Sequence, residues 1–239
     1  MGIAKQISRI IRRELRVQAA WLPVVNVFSL GDYGVIDGGI FVRRGNIKTD
    51  FKISFETLES PDAHIDFKSK GTRLIKLDAG VPVQNIPSGS VNAQVKVQFS
   101  GARSFLIQSP LIKVKEIASP NVLAMSLAGQ AFWRPEYKVV HQVYHAKKAV
   151  VVSTKESNTE LIFSGQAKAL NDLDLGHAAL SMSFNKSIGL DLNGKEGIIG
   201  LGLFRIMDGQ MGVVRGKAKV KIKEARIEMI GGEEMGDDF

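Results

Sequence analysis

The longest alternation of hydrophobic and polar residues in the chain begins at Ala178. Every second position up to Leu192 is apolar, with one polar interruption at Lys186, and the row contains Ala178, Leu180, Met182, Phe184, Ile188, Leu190 and Leu192. A period of two places successive side chains on opposite faces of a β-strand. The pattern predicts one unusually long strand, because strands average about five or six residues.

A second strand is expected directly after this one. Residues 193–197 have the composition of a turn, and residues 198–204 are apolar at every position except two glycines, which predicts a strand covered on both faces. Residues 178–206 are therefore expected to form a β-hairpin.

A similar hairpin is predicted upstream, over residues 138–170. Residues 138–153 are rich in valine and residues 160–170 alternate, and the polar residues 155–159 between them resemble a turn. All seven prolines lie at or before Pro135, so long uninterrupted strands are allowed in this half of the chain.

The N-terminal residues follow a helical period. The apolar positions Ile3, Ile7, Ile10, Ile11 and Leu15 predict one face of an amphipathic helix, and the other face carries Lys5, Arg9, Arg12, Arg13 and Arg16. Docking on a sheet would use the isoleucines and leave the cations in solvent. An interfacial helix that contacts anionic lipid needs the same two faces, so the two interpretations are compatible.

Three further elements complete the predicted fold. Asp37-Gly38 between apolar residues indicates a hairpin, residues 91–99 alternate as a strand, and residues 121–129 favour a helix after Pro120. We expect an α+β domain, a twisted and mainly antiparallel sheet with the N-terminal helix docked on it. It would cover residues 1–206, and residues 207–239 would form a basic segment and an acidic tail.

Composition and charge narrow the class of partner. The 239 residues are 44% hydrophobic and 23% charged, with a net charge of +8, so an anionic partner is favoured. The chain has no cysteine, which excludes disulfides and thiolate metal sites. No apolar run approaches the ~18–20 residues of a transmembrane helix, so entry into a membrane would need β-structure or a surface helix.

Catalytic and nucleic-acid signatures are weak. His141 and His145 lie on a predicted strand, where four residues separate them by about 13 Å, too far to share a metal ion. No Gly-x-Ser-x-Gly elbow or phosphate loop occurs. The basic segments lack the interleaved aromatics that stack on single-stranded nucleic acid. We therefore expect no enzyme, no metal and no cofactor, and nucleic acid is a disfavoured partner.

The order of these features resembles the pore-forming N-terminal domain of gasdermins. The resemblance lies in the cationic helix over residues 4–15, in Leu22-Pro23-Val24 after it, in the strand-rich region 139–205, and in residues 203–210 at its end. It implies a protein that is cytoplasmic when inactive, binds acidic phospholipid at the inner or plasma membrane, oligomerises, and inserts two β-hairpins to form a large barrel pore that kills the cell.

The resemblance also implies roles for particular residues. Lipid contact would fall on the cations Lys5, Arg9, Arg12, Arg13 and Arg16. Membrane insertion would involve Val139, Val143, Val151, Leu161, Phe163, Leu180, Met182, Phe184, Ile188, Leu190 and Leu192. A lipid-facing lysine costs roughly 2–4 kcal/mol at the bilayer midplane, so Lys186 is expected near an interface or a hairpin tip.

One departure from the family pattern leaves the mechanism of control open. Many family members carry a large C-terminal repressor domain, whereas residues 207–239 are short, as in bacterial and fungal members, among which antiphage defence occurs. An inhibitory tail, an activating protease, or neither is compatible with this length. The main alternative is a soluble, non-enzymatic binding or scaffold domain with an anionic partner, and an enzyme with an unrecognised site is the least supported.

Overall fold

The computed structural model describes residues 3–21, 26–76, 81–83, 94–164, 181–184, 188–207 and 226–230. The helices are α1 (Ile3–Leu15), α2 (Ile47–Asp50) and α3 (Pro120–Ala128). The strands are β1 (Gln18–Ala19), β2 (Asp32–Asp37), β3 (Ile40–Asn46), β4 (Thr57–Glu59), β5 (Ala63–Lys68), β6 (Thr72–Lys76), β7 (Val81–Val83), β8 (Gln94–Phe99), β9 (Phe105–Ile117), β10 (Lys138–Thr154), β11 (Thr159–Ser164), β12 (Ser181–Phe184), β13 (Ile188–Met207) and β14 (Arg226–Ile230). The predicted α+β class, antiparallel pairing and N-terminal helix are confirmed.

The strands form two sheets. The larger, sheet A, has nine strands in which β10 pairs with β13 on one side and with β2 and β9 on the other. β13 also pairs with β1 and β14, and β9 also pairs with β4 and β5. The smaller, sheet B, has five strands in the order β12-β11-β8-β6-β7. β14 lies beyond residue 206 and still belongs to sheet A, while the proposed division of the chain at that residue stays a prediction.

Four stretches of chain contribute to both sheets, and we call them arms. Arm 1 is β5 with β6, arm 2 is β8 with β9, arm 3 is β10 with β11, and arm 4 is β12 with β13. In sheet A the arms pair through β5·β9, β9·β10 and β10·β13, and in sheet B through β6·β8, β8·β11 and β11·β12. The neighbour order of the arms is therefore the same in both sheets, 1-2-3-4.

The predicted hairpin over residues 138–170 is wrong. Within the described strands, β10 and β11 do not pair with each other, because they lie in different sheets and residues 155–158 form a bend between them. Instead β10 pairs with β13 and β11 pairs with β12. Arm 3 and arm 4 thus form one long hairpin, and residues 165–180, which connect the two arms, are outside the described residues.

The predicted hairpin over residues 178–206 is also wrong. β13 runs without a break from Ile188 to Met207, so residues 193–197 are strand rather than turn. Register shifts near Ala146 and Ala149 accommodate them as an irregularity in the ladder with β10. The predicted single strand 178–192 is divided as well, because β12 lies in sheet B and β13 in sheet A. The polar, glycine-containing sequence fits a bulge as well as a turn, and pairing with β10 decides between them.

Helix α1 docks on sheet A through its isoleucines, as predicted. Ile7, Ile10 and Ile11 are at most 5% exposed and pack with Phe105, Ile107 and Val151. Arg16 has a left-handed φ of 56°, which is typical of the residue that follows a helix. The covered strand predicted over residues 198–204 is confirmed, because all seven residues are buried.

The β2–β3 hairpin and α3 are confirmed too. Gly38 and Gly39 form its turn with φ of 56° and 81°, values that favour glycine. The chain then curls so that Phe41 of β3 packs with Val140 and Leu201. On a separate cluster, Leu123 and Leu127 of α3 pack with Phe204.

We expect Gly34→Ala to destabilise the fold by roughly 1–3 kcal/mol, the cost of overpacking a tight site. A Cβ at this position would lie 2.0 Å from the backbone oxygen of Val42, which cannot move without displacing β3. Gly129→Ala is the matched control, since a Cβ there meets nothing within 4 Å. Urea unfolding of both variants measures the difference, and equal stability of the two would contradict this packing.

Candidate functional site

The cationic face of α1 is largely exposed to solvent. Lys5, Arg9, Arg13 and Arg16 are exposed, and Arg13 forms an ion pair with Glu14 on the same face. Exposed ion pairs of this kind contribute little to stability. The face is therefore available to an anionic surface without rearrangement of the core.

Arg12 differs from the other four predicted lipid contacts. It is half-buried, its Nη2 donates to Gln18 Oε1 at 3.1 Å, and its buried Nε has no partner among the described residues. Burial lowers the pKa of the Arg12 guanidinium, because the charged form loses hydration. The prediction that docking leaves all five cations in solvent is thus wrong for Arg12, which lies one helical turn beyond the buried Ser8.

Two hydrogen bonds connect α1 and the residues that follow it to the turn of the β2–β3 hairpin. Gln18 Nε2 donates to Gly39 O at 2.6 Å, and Ser8 Oγ donates to the same carbonyl at 3.3 Å. Ser8 and Gln18 are both 2% exposed. The sequence did not lead us to expect these two hydrogen bonds, although a serine within the isoleucine face of α1 was a usable signal.

Sheet B has one apolar face. Leu74, Val97, Phe99 and Leu161 are at most 2% exposed. The register aligns Leu74 with Val97 and Val97 with Leu161, so one apolar row crosses three arms. Leu161 in turn pairs with Phe184, which brings arm 4 into the same row.

The opposite face of sheet B carries most of its charged and amide side chains, although Ile75 and Ile162 also lie on it, on either side of Lys96. Glu160 accepts a hydrogen bond from Gln98 Nε2 at 2.5 Å and lies 3.5 Å from Lys96 Nζ. Arg73 pairs with Gln98 and is exposed. Sheet B is therefore amphipathic across its strands, and arms 1 and 2 contribute to this as much as arms 3 and 4.

Four predicted insertion residues are buried in sheets A and B. Val139 packs with the α3 cluster, Val143 with Phe41 of β3, and Val151 with α1. Val139 pairs with Phe204 and Val143 with Leu201, which lie on opposite faces of β13, so these two valines do not share a face. A register shift at His141 is the cause. Leu161 is fully buried in sheet B.

For the remaining predicted insertion residues, we describe only the strand position and the backbone pairing. Phe163 pairs with Met182 in sheet B. In sheet A, Val151, Ser153 and Thr154 pair with positions of β13, namely Leu192, Leu190 and Ile188. Leu180 and Lys186 lie outside the described residues, so the position of Lys186 stays a prediction.

His141 is a buried histidine beside Phe204. It is 8% exposed, with ring centroids 5.8 Å apart. Burial lowers the pKa of His141 to about 4, which the nearby Glu116 opposes. Within the part of the chain that the structure describes, no group of three His, Cys, Asp or Glu side chains is placed to hold a metal ion.

A surface cavity of about 220 Å³ lies between α3 and residues 53–56. Its lining is apolar or hydroxyl-bearing except for Glu56, with Ile53, Phe55, Val122 and Leu123 as its larger residues. Glu56 is the one titratable side chain in this lining, so the cavity offers no acid–base pair.

Comparison with protein-family models, with curated proteins and with solved structures finds no match for this chain. Among the described helices, none has both the length and the apolar content needed to cross a bilayer.

We expect His141 to make the fold lose stability in acid. The unfolded chain binds a proton near pH 6.5, whereas the folded pKa is about 4, so stability is complete above pH 6.5 and falls as the pH is lowered towards 4. His141→Gln should flatten this part of the curve of unfolding free energy against pH. His64→Gln is the control, because His64 is exposed. An unchanged curve for His141→Gln would contradict the assignment.

Proposed function

We propose that this chain is a membrane pore-forming effector of cell death. It binds acidic phospholipid through α1, oligomerises, and inserts two β-hairpins into a large barrel. The observation that carries the proposal is the amphipathic sheet B, in which an apolar row crosses all four arms at Leu74, Val97, Leu161 and Phe184. A barrel wall needs this arrangement, with apolar residues towards lipid and polar residues towards the lumen.

The inserting hairpins in this proposal differ from those expected from the sequence. Arm 1 with arm 2 forms one hairpin, and arm 3 with arm 4 forms the other. A membrane-spanning β-strand needs about 9–11 residues, and β9, β10 and β13 have 13, 17 and 20. Closure of many such units would pair every backbone group, which lipid requires.

The role of α1 in the proposal follows from its two faces. Its exposed cations would draw the chain to anionic headgroups, and each lysine or arginine near such a surface contributes about 1 kcal/mol. Its isoleucines, now buried against Phe105, Ile107 and Val151, suit the headgroup boundary equally well. Membrane and sheet A would thus compete for the same apolar face. The resemblance to gasdermins supports this order of events.

A soluble binding or scaffold domain with an anionic partner is the second candidate. It is favoured by the burial of the apolar face of sheet B, where Leu161 is 0% and Phe99 1% exposed. In that case the arms would never leave the fold. The cationic face of α1 would then bind a charged macromolecule without membrane leakage, which separates the two candidates.

We expect the protein to release dye from vesicles that contain anionic phospholipid, and to do so much more weakly from neutral ones. Arg9→Glu with Arg13→Glu should reduce the leakage rate at least tenfold, because it removes four units of charge from α1. The control, Arg44→Glu with Arg134→Glu, makes the same change in net charge at exposed residues outside α1 and the four arms, and it should retain most of the rate.

Sedimentation with vesicles separates binding from permeabilisation. Vesicle binding without leakage by the wild-type protein would favour the soluble binding domain. Equal losses in both double variants would show that net charge alone, and not α1, directs the protein to the membrane.

A further inference from the structure

The two central arms have the same number of residues between the last pair that they make in sheet A and the first pair that they make in sheet B, and we call these residues the bends of the arms from here on. In sheet A, Phe105 of arm 2 pairs with Ser153 of arm 3, and in sheet B Phe99 pairs with Thr159. Residues 100–104 lie between these pairs in arm 2 and residues 154–158 in arm 3, which is five residues in each. The ladder between β9 and β10 has no register shift. One register therefore holds on both sides of the bend.

The outer arms do not share this property. Between the pairs Lys68–Leu106 and Thr72–Phe99, arm 1 has three residues, 69–71, and arm 2 has six, 100–105. A straight ladder between arms 1 and 2 would need a slip or a retained bulge. The ladder between arms 2 and 3 would need neither.

Each described bend contains one residue in the left-handed conformation. These are Gly71 with φ 89°, Arg103 with φ 61° and Asn158 with φ 53°. Glycine adopts this region freely and asparagine often, whereas arginine does so at a cost. Arg103 and Asn158 occupy the two bends of equal length, and a strand would require both to return to negative φ.

Buried hydroxyl groups hold the bend of arm 3. Thr154 and Thr159 are at most 1% exposed and share a hydrogen bond of 2.8 Å between their Oγ1 atoms. Both Oγ1 atoms also lie within hydrogen-bond distance of Glu156 O, at 2.8 Å for Thr154 and 3.1 Å for Thr159, so one hydroxyl donates to this carbonyl while the other donates within the threonine pair. Thr154 N already donates to Ser104 O at 3.0 Å across the two arms. The bend is a defined structure with its own hydrogen bonds.

We propose that Arg103 and Asn158 are the positioning residues of a register-preserving hinge between sheets A and B. When both return to β-conformation, arms 2 and 3 become one continuous ladder with every existing pair kept, and the bend residues pair in the same register, Ala102 opposite Glu156. The inference rests on the proposed function, because insertion is the event that would straighten the arms.

Substitution at Asn158 tests the hinge by rate. Asn158→Gly tolerates left-handed φ and should slow dye release from anionic vesicles about threefold. Asn158→Val disfavours that φ and favours a strand, so it should accelerate release about fivefold. Thermal unfolding in solution establishes that both variants are folded. Rates of dye release that decrease in the order valine, asparagine, glycine at position 158 support the hinge. Any other order of rates among folded variants contradicts it.

Cysteine pairs test the register directly, since the natural chain contains no cysteine. Ala102→Cys with Glu156→Cys should form a disulfide more readily on anionic vesicles than in solution, because directly opposed residues of a ladder lie within disulfide distance. Ala102→Cys with Ser157→Cys is the out-of-register control and should show no such gain. Wild-type leakage with equal gains in both pairs overturns the hinge alone, whereas no wild-type leakage on any vesicle overturns the pore proposal and the hinge with it.

Discussion

The ladder between β10 and β13 is the interaction on which the rest of the fold depends. It runs from Lys138–Arg205 to Thr154–Ile188, and the free edges of its two strands carry β1, β2, β9 and β14. Glycines in β13 bring other parts of the chain close to it. A Cβ at Gly200 would lie 2.8 Å from Val17 Cγ2, and one at Gly202 would lie 2.7 Å from Gln142 Cβ. Close packing against β13 therefore fixes both the residue Val17, which follows α1, and the first part of arm 3.

This dependence places two opposed requirements on α1. Its isoleucines stabilise the resting fold, at about 1.5–3 kcal/mol for each fully buried side chain, while Arg12 is drawn partly out of water beside them. The buried Nε of Arg12 lacks a partner among the described residues, and an unsatisfied buried group costs about 1–3 kcal/mol or more. An anionic surface would offer this guanidinium a counter-charge. Apolar contacts therefore favour the docking of α1 on sheet A, whereas the partly buried charge of Arg12 opposes it.

Much of the local structure could be predicted from the sequence. Helical periodicity located α1, Asp37-Gly38 located the β2–β3 hairpin, and the proline-free valine run located β10. Pairing partners could not be predicted, because alternation reports the faces of a strand and not its neighbour. Residues 155–159 fit a hairpin turn and a bend between sheets equally well, and residues 193–197 fit a turn and a bulge. Periodicity also cannot give the width of a docked face, which is why Arg12 was misplaced.

The equal bends of arms 2 and 3 constrain the sequence more than either strand does alone. One residue added to 154–158, or removed from 100–104, would exchange the two faces of one arm relative to the other beyond the bend. The apolar row through Val97 and Leu161 would then be broken in sheet B, although sheet A would be unaffected. Bend length therefore couples the amphipathic face of sheet B to the core ladder of sheet A. A fold that never straightened would need that coupling only for packing, whereas a fold that straightens needs it in both states.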